Sequence, residues 1–506
     1  MKKIDFRGGV VKLLLGIELI TLFLGIKSFG NKNNTLDDIK LLDNKSNNLF
    51  AIMVKDSSGN YNESSTFPEG MYVLNETMSS CIDNNGNKID NVLSYSDGVV
   101  SARTNKTVYC YLYFDKDNTV YAKVLDDFSN NNGVQKTTDE NGKYVYYYTG
   151  NVTNNNLVLN NYCWKMVRTT ETDGVKLLYN GLYSDSTKCN NTGASVYIDS
   201  NKTAFNTNYN SPAYVGYMYG TVYAWNSKNV RNFETYYYGS DVTWDGTTYT
   251  LSEAESGAIA DMSSKLNTKH YTCLSTSSSC STVYYIYSRA SNGSVFYMTL
   301  TNGKKIEDAL DEMLNYNTTN SNIKTVIDNW YSTNMTNAIN YLENAIYCNN
   351  RNIYDLGGWN PSGGIVSGSA SYLRFNDYFS SKARLTCQDK EDQFTLKVDS
   401  GGTLGYGNNA LDYPIGLLTG KEANLAIGDS STNYLNDNND DSYWLLSPYH
   451  FIGDIGYIRS VHYGSLDTNN VLGTYGVRPA VSLFTKVKLS GEGNGTVESP
   501  YILAPL

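Results

Sequence analysis

The sequence predicts an α+β protein in two modules: a small β-sandwich, then a larger α+β domain with a helical insertion. Three observations carry that prediction. Between Leu49 and Asp117, short alternating apolar runs are cut by SSGN, DNNGN and SDG turns, the pattern of half-buried strands joined by hairpins. From residue 143 the chain opens in strands, passes through apolar stripes at helical spacing and returns to strands. Two polar, Asn-rich stretches, 31–48 and 126–142, separate these parts and read as linkers.

The N-terminal segment comes first. Lys2, Lys3, Arg7 and Lys12 stand against Asp5 alone, and an apolar run from Leu13 to Ile26 follows, broken only by Glu18. A basic segment before roughly 7–15 apolar residues is the pattern of a secretory signal. The run falls short of the roughly 20 residues that span a bilayer. Lys27-Ser28-Phe29-Gly30 is a poor cleavage site, so signal peptide and uncleaved membrane anchor both stay open for residues 1–30. Either way the expectation is an extracellular or cell-surface protein that touches membrane only through this segment.

Residues 49–125 form the first module, with strands in LFAIMV, GMYVLN, VLSYS, GVVSA and TVYCYLYF. The second, 143–506, opens with KYVYYYTG, NLVLNNYCWKMVRTT and GVKLLYNG. Its insertion, about 250–347, carries three helical stripes. Ser252 and Glu255 stand as a capping box for a helix to Leu266; Ile306, Leu310 and Leu314 make the second stripe. Ile323, Val326, Ile327 and Trp330 make the third, continued by Ile339, Leu342 and Ile346. Thr419 and Glu422 cap a last short helix, before strands at 442–448, 456–462, 476–483 and 501–503.

Composition excludes several classes. Net charge is −10 with a pI near 5.0, so no basic footprint for nucleic acid exists. The 3 histidines, His270, His450 and His462, leave little for a histidine metal site or relay. No metal or cofactor is expected. The 8 cysteines include no C-x-x-C pair, so structural bridges are favoured over zinc or thiol chemistry. Cys81 and Cys110 are alone in the first module and should pair. Cys273 and Cys280 sit at the feet of a Ser/Thr loop. Cys163, Cys189, Cys348 and Cys387 allow three pairings, of which neighbour pairing, 163–189 and 348–387, is the expected one.

The end of the chain is the most specific part. SYWLLSP at 442–448, YGVRPAVSL at 475–483 and GNGTVESPYIL at 493–503 resemble a family of exported proteins of unknown function from low-GC Gram-positive bacteria. Their shared signature is W-x-x-S-P, a Gly/Asn-rich hairpin, then G-V-R-P-A-x-S-L. NYCWKMVRTT, SPAYVGYMYG and YPIGLLTGKEANLA also resemble that family, so the likeness covers roughly 145–506. The resemblance implies a C-type-lectin-like fold, in which a terminal strand pair closes a loop-rich unit. Trp444 and Arg478 then read as structural, a strand's inward ring and a guanidinium pinning loops.

Catalytic signatures are missing. The chain holds none of the E-P-N, Q-P-D or W-N-D triplets that calcium-dependent lectins use, and no G-x-S-x-G elbow. The acidic stretch Asp437–Asp441 reads as a solvated turn more than a calcium loop. What remains is a binding surface. Tyr449, His450, Tyr457, Arg459, His462 and Tyr463 flank a hairpin whose turn falls at Tyr463-Gly464-Ser465. Tyr and Arg supply rigid, amphipathic contact area. The expected function is a non-catalytic surface binding protein or adhesin for an extracellular glycan or protein. The alternative is an exported glycan hydrolase, which needs two carboxylates about 5–9.5 Å apart in a cleft.

Overall fold

The computed structural model describes residues 50–223 and 306–506, except 57–58, 69–71, 97–98, 103–107, 199–201, 356–370, 377–382, 398–405, 430–431, 437–440 and 453–454; elsewhere it describes only short strands within 13–22 and 236–299. Two compact units emerge, Met1–Gln135 with Lys486–Gly491, and Lys136–Thr485 with Glu492–Leu506.

In the first unit one long strand organises the rest. The strands are β1 (Phe50–Lys55), β2 (Tyr61–Ser64), β3 (Tyr72–Leu74), β4 (Ser80–Ile82), β5 (Lys88–Ile89) and β6 (Tyr109–Lys116), and the sheet runs β2-β1-β6-β4-β5 with β3 also on β6. β6 pairs parallel with β1 and antiparallel with β3 and β4. Its alternation sends Cys110, Leu112 and Phe114 inward, onto Ile52, Leu74, Val92 and Val108. Cys110 lies directly opposite Cys81 in the ladder, and the two are bonded. Where a sandwich is expected, the described residues give a six-stranded mixed sheet and a separate hairpin, Leu93–Ser96 with Val99–Ala102, and Leu93 packs on the core of the larger sheet. The parallel β1–β6 pair puts the first strand of the larger sheet beside its last.

The division between the units, Gln135/Lys136, falls within the expected second linker, 126–142, which is the end of a helix and a strand and not an irregular stretch. Helix α1 (Val120–Ser129) starts on Thr119, whose hydroxyl accepts from Ala122 N at 3.1 Å. It buries Val120, Ala122, Val124 and Leu125, a stripe hidden by its polar neighbours. β7 (Val134–Thr138) follows at once. The chain then returns to this unit at Lys486–Gly491: Val120 N donates to Val487 O at 2.9 Å, and Leu489 N to Asn118 O at 2.8 Å.

The second unit is built on a seven-stranded sheet. β8 (Tyr144–Tyr148), β9 (Asn156–Leu159), β10 (Tyr162–Thr169) and β11 (Val175–Leu182) join β7 and two late strands, Ala480–Leu483 and Tyr501–Ile502. β10 and β11 are buried along nearly their whole length. Tyr501–Ile502 runs parallel to β9, and Ala480–Leu483 antiparallel to β11. Cys163–Cys189 and Cys348–Cys387 are bonded, in the expected pairing. The side chains of Cys273 and Cys280 lie outside the described residues, as do residues 1–12 and 23–49. Leu13–Gly16 pairs with Leu19–Leu22 as a short hairpin.

The insertion is part strand. Glu255–Gly257 pairs with Tyr236–Tyr238, which corrects at those three residues the helix expected over 252–266, while 252–254 and 258–266 lie outside the described residues; Gly257, a poor helix former, stands directly behind the Ser252/Glu255 cap pattern. The other stripes form α2 (Ile306–Leu314) and α3 (Asn322–Asn334), although Ile339 is left exposed in a 3₁₀ turn after α3. No helix among the described residues is long and apolar enough to cross a membrane.

A proline at Leu489 removes the N–H donated to Asn118. Leu489→Pro should speed amide exchange at Val120 by tenfold or more and leave the Cys110–Phe114 amides protected. Hydrogen–deuterium exchange read by mass spectrometry checks this.

Candidate ligand-binding face

A second sheet carries the candidate residues. It runs in chain order through β12 (Ile353–Asp355), β13 (Ser371–Phe375), β14 (Ser442–Ile452), β15 (Ile455–His462) and β16 (Ser465–Asn470). The β15–β16 turn is Tyr463-Gly464, with φ of 47° and 71°, the left-handed pair of a tight hairpin. One face is packed throughout. Trp444 is fully buried there, edge-on to Phe205 at 5.7 Å and Tyr475 at 5.0 Å, and its Nε1 donates to Thr203 O at 2.8 Å. Gly456 lies on the same face so close to Val215 that a Cβ would stand 2.9 Å from its methyl.

Among the described residues, one helix covers part of the opposite face. α4 (Gly420–Ile427) packs against β14, β15 and β16 and against β8 and β10 of the first sheet. Its position is fixed at both ends of one short segment. Thr419 and Glu422 form the capping box, Thr419 N to Glu422 Oε2 at 2.8 Å and Glu422 N to Thr419 Oγ1 at 3.1 Å. Gly420 N donates to Ser447 Oγ at 2.9 Å, which gives the serine of the W-x-x-S-P segment its role. Glu422 Oε1 accepts from Arg168 Nε at 2.7 Å and Lys176 Nζ at 2.8 Å, all three side chains buried. Burial works to raise the Glu422 carboxyl, but Lys176 and Arg168 prevail and hold it near 2.

Arg478 pins the neighbouring segment. Its Nε donates to Tyr179 O at 3.1 Å, its terminal nitrogens to Leu435 O at 3.2 Å and Asn180 Oδ1 at 2.9 Å, and its Cζ lies 4.9 Å from the centroid of the Tyr443 ring. Gly476 is held against Tyr197, where a Cβ would fall 2.4 Å from the ring. Ala480 exchanges two backbone bonds with Gly416.

Beyond α4 the sheet carries a half-buried aromatic and guanidinium cluster. The register places His450 opposite Tyr457 and beside Arg374, so these three share a face. The His450 ring lies 4.3 Å from Tyr449 and 4.6 Å from Tyr457. The Arg459 guanidinium lies 4.3 Å over the Tyr449 ring. Burial, then the charges of Arg374 and Arg459, push the His450 imidazole down to about 4, so it is neutral at physiological pH.

The six candidates therefore divide. Tyr449, His450, Tyr457 and Arg459 come together. His462 and Tyr463 stand at the turn, the other end of β15, with rings 4.6 Å apart, and Tyr463 is 47% exposed. Three neighbours escaped sequence reasoning. Asn470 stands opposite Tyr457 and Thr468 opposite Arg459, and counting outward from the Tyr463-Gly464 turn would have found both. Arg374 comes from a strand whose register no local signal gives. In the acidic stretch, Asp437–Asp440 lie outside the described residues; Asp441 pairs with Lys202.

A second carboxyl in this unit is set the other way. Glu343 accepts from the hydroxyls of Thr170 and Thr172, each at 2.6 Å, and burial pushes it up to about 7 against those donors. The two glutamates oppose each other in pH dependence. Glu422, depressed below its ordinary 4.5, stabilises the fold above that pH and loses its contribution as pH falls towards 2. Glu343, raised, favours the fold fully below 4.5 and loses that contribution as pH rises through 7. Glu343→Gln should leave the melting temperature unchanged near pH 4.5 and raise it at neutral pH, by the equivalent of about 3 kcal/mol. Scanning calorimetry across pH reads this directly. Trp444→Ala should cost about 3–5 kcal/mol at any pH through its buried volume, measured by denaturant unfolding.

Set beside known proteins, the chain matches no family model, no curated protein and no solved structure.

Proposed function

We propose that the protein is an exported, non-catalytic binding protein of the cell surface, built on a C-type-lectin-like domain, and that it takes an extracellular ligand on the face of Tyr449, His450, Tyr457 and Arg459. The observation that carries this reading is the cluster itself. Three rings in contact and one guanidinium over a ring stand half-buried beyond the part of the sheet that α4 covers, while the other face carries the buried Trp444 and Gly456. Rings and guanidinium ordered before binding lose little conformational entropy when a ligand arrives.

Other features support the compartment and the fold. Three bonded cysteine pairs suit an oxidising environment. The pairing of Tyr501–Ile502 with β9 sets a late strand beside an early one of the second unit, which supports a reading in which terminal strands close it. Non-catalytic action is favoured by the setting of Glu343. A carboxyl near 7 is the usual mark of a general acid, yet this one is 3% exposed and tied to two threonine hydroxyls at a turn.

The test is a triple variant, Tyr449→Ala with Tyr457→Ala and Arg459→Ala, assayed for adhesion to cells and on a glycan array. It should melt within a few degrees of the parent and lose binding by at least tenfold, while EDTA leaves binding of the parent unchanged. Full binding by the triple variant would remove the face from the reading.

A further inference from the structure

We propose that Lys165, Asn156 and Arg478 form a binding site in the second unit for a small oxyanion that also carries an O–H group, the chemistry shared by hydrogencarbonate and hydrogenphosphate. The site is independent of the candidate face and uses none of its residues.

Lys165 lies mid-strand in β10, opposite Asn156 of β9 on one side and Leu178 of β11 on the other. Its side chain and that of Asn156 therefore share a face of the first sheet. The lysine is only 8% exposed, and among the described residues its ammonium has neither a hydrogen bond nor a carboxylate partner. The fully buried lysines are answered: Lys176 by Glu422 and Ile346 O, Lys324 by Asp328 and Asp412. Asn156 shows the complementary lack. Its Nδ2 donates to Gly495 O at 2.7 Å and to Thr153 O at 3.1 Å, and two carbonyl acceptors fix which end of the carboxamide is the amine. Its Oδ1 is buried and accepts from no described residue. A donor and an acceptor thus stand on one rung without bonding each other.

Charge decides what bridges them. Arg478 commits three of its five N–H donors, all to neutral acceptors: Tyr179 O, Leu435 O and Asn180 Oδ1. Tyr179 and Asn180 directly follow Leu178, the cross-strand partner of Lys165. Burial, then the Arg478 charge, bring the Lys165 amine down to about 8. Two buried cations acting on each other with no carboxylate between them favour an anion. A water would satisfy Asn156 and leave both charges unanswered. Chloride would answer the charges and leave Asn156 without a donor. An oxyanion with one O–H does both: its charged oxygens accept from Lys165 and Arg478, and its O–H donates to Asn156 Oδ1. The enclosure of all three side chains favours an ion of a few atoms over a sugar acid or a peptide.

The experiment uses the full chain in carbonate-free chloride buffer at constant ionic strength, with sodium hydrogencarbonate, phosphate and acetate as probes in isothermal titration. Hydrogencarbonate or phosphate should bind at one site per chain, at least tenfold more tightly than acetate, which has the charge but no O–H. Lys165→Met should lose that binding by at least tenfold and melt no lower than the parent, since it replaces an unpaired buried cation with an apolar chain of similar length. In the parent, the bound anion should slow amidination of Lys165 by methyl acetimidate at least tenfold, with exposed lysines unaffected, as read by peptide mass spectrometry. That measurement needs no variant to fold. Binding of one hydroxylated probe alone upholds the site and names the source of the anion. Acetate binding as tightly as both would overturn the assigned chemistry. Undiminished binding by Lys165→Met, labelling unchanged by the anion, or no binding of either hydroxylated probe would overturn the site.

Discussion

The second unit depends on one buried carboxylate. Glu422 accepts from a guanidinium and an ammonium on adjacent strands through one oxygen, and from the N–H of its own helix cap through the other. A lone ion so deeply enclosed would be untenable; three donors, from two strands and the helix cap, make it a joint. Losing either cation would leave the other charges buried and underpaired, which is far costlier than losing a surface pair. The joint fixes α4 to the first sheet, and the Gly420–Ser447 bond then fixes the second sheet to α4.

That chain of contacts decides where the candidate face can lie. α4 is a helix of 8 residues, too short to cover a sheet whose longest strand has 11. The 443/461 end is buried under the α4 side, with Arg478 against Tyr443; the 450/457 end is not. Among the described residues, the rings and guanidinium thus stand half-buried beyond the reach of that short helix. Their order comes from the packed face behind them, where Trp444 and Gly456 leave no room for the strands to shift.

Much of this was legible in the residues. Alternation gave the strands of β6 and β15, the T-x-x-E spacing gave the α4 cap, and spacing gave the three bonded cysteine pairs. The failures have physical causes. A capping box signals a start but cannot supply the helix behind it, hence the strand at Glu255–Gly257. Asn and Asp around α1 looked like linker because its buried stripe is narrow and its cap is a lone threonine. Most telling is the candidate site. Bulges between Trp444 and His450 shift the ladder, so sequence distance along β14 does not say which face a side chain takes. His450 and His462 looked equivalent in the sequence, and the fold separates them by the length of a strand.

The return of Lys486–Gly491 to the first unit has a bearing on how the chain is made. Helix α1 takes its partner from the far end of the sequence, with Val487 completing what Val120 begins. At synthesis rates of about 5–20 residues per second, the interval between the two is roughly tens of seconds. The β6-centred sheet can close early, whereas the start of α1 must wait beside a growing chain for the backbone bonds of Val487 and Leu489. The first unit is therefore the earliest to start and among the last to finish, and Lys136–Thr485 of the second unit is made inside that interval. A chaperone that attends this chain during synthesis has its longest task at the α1 stripe.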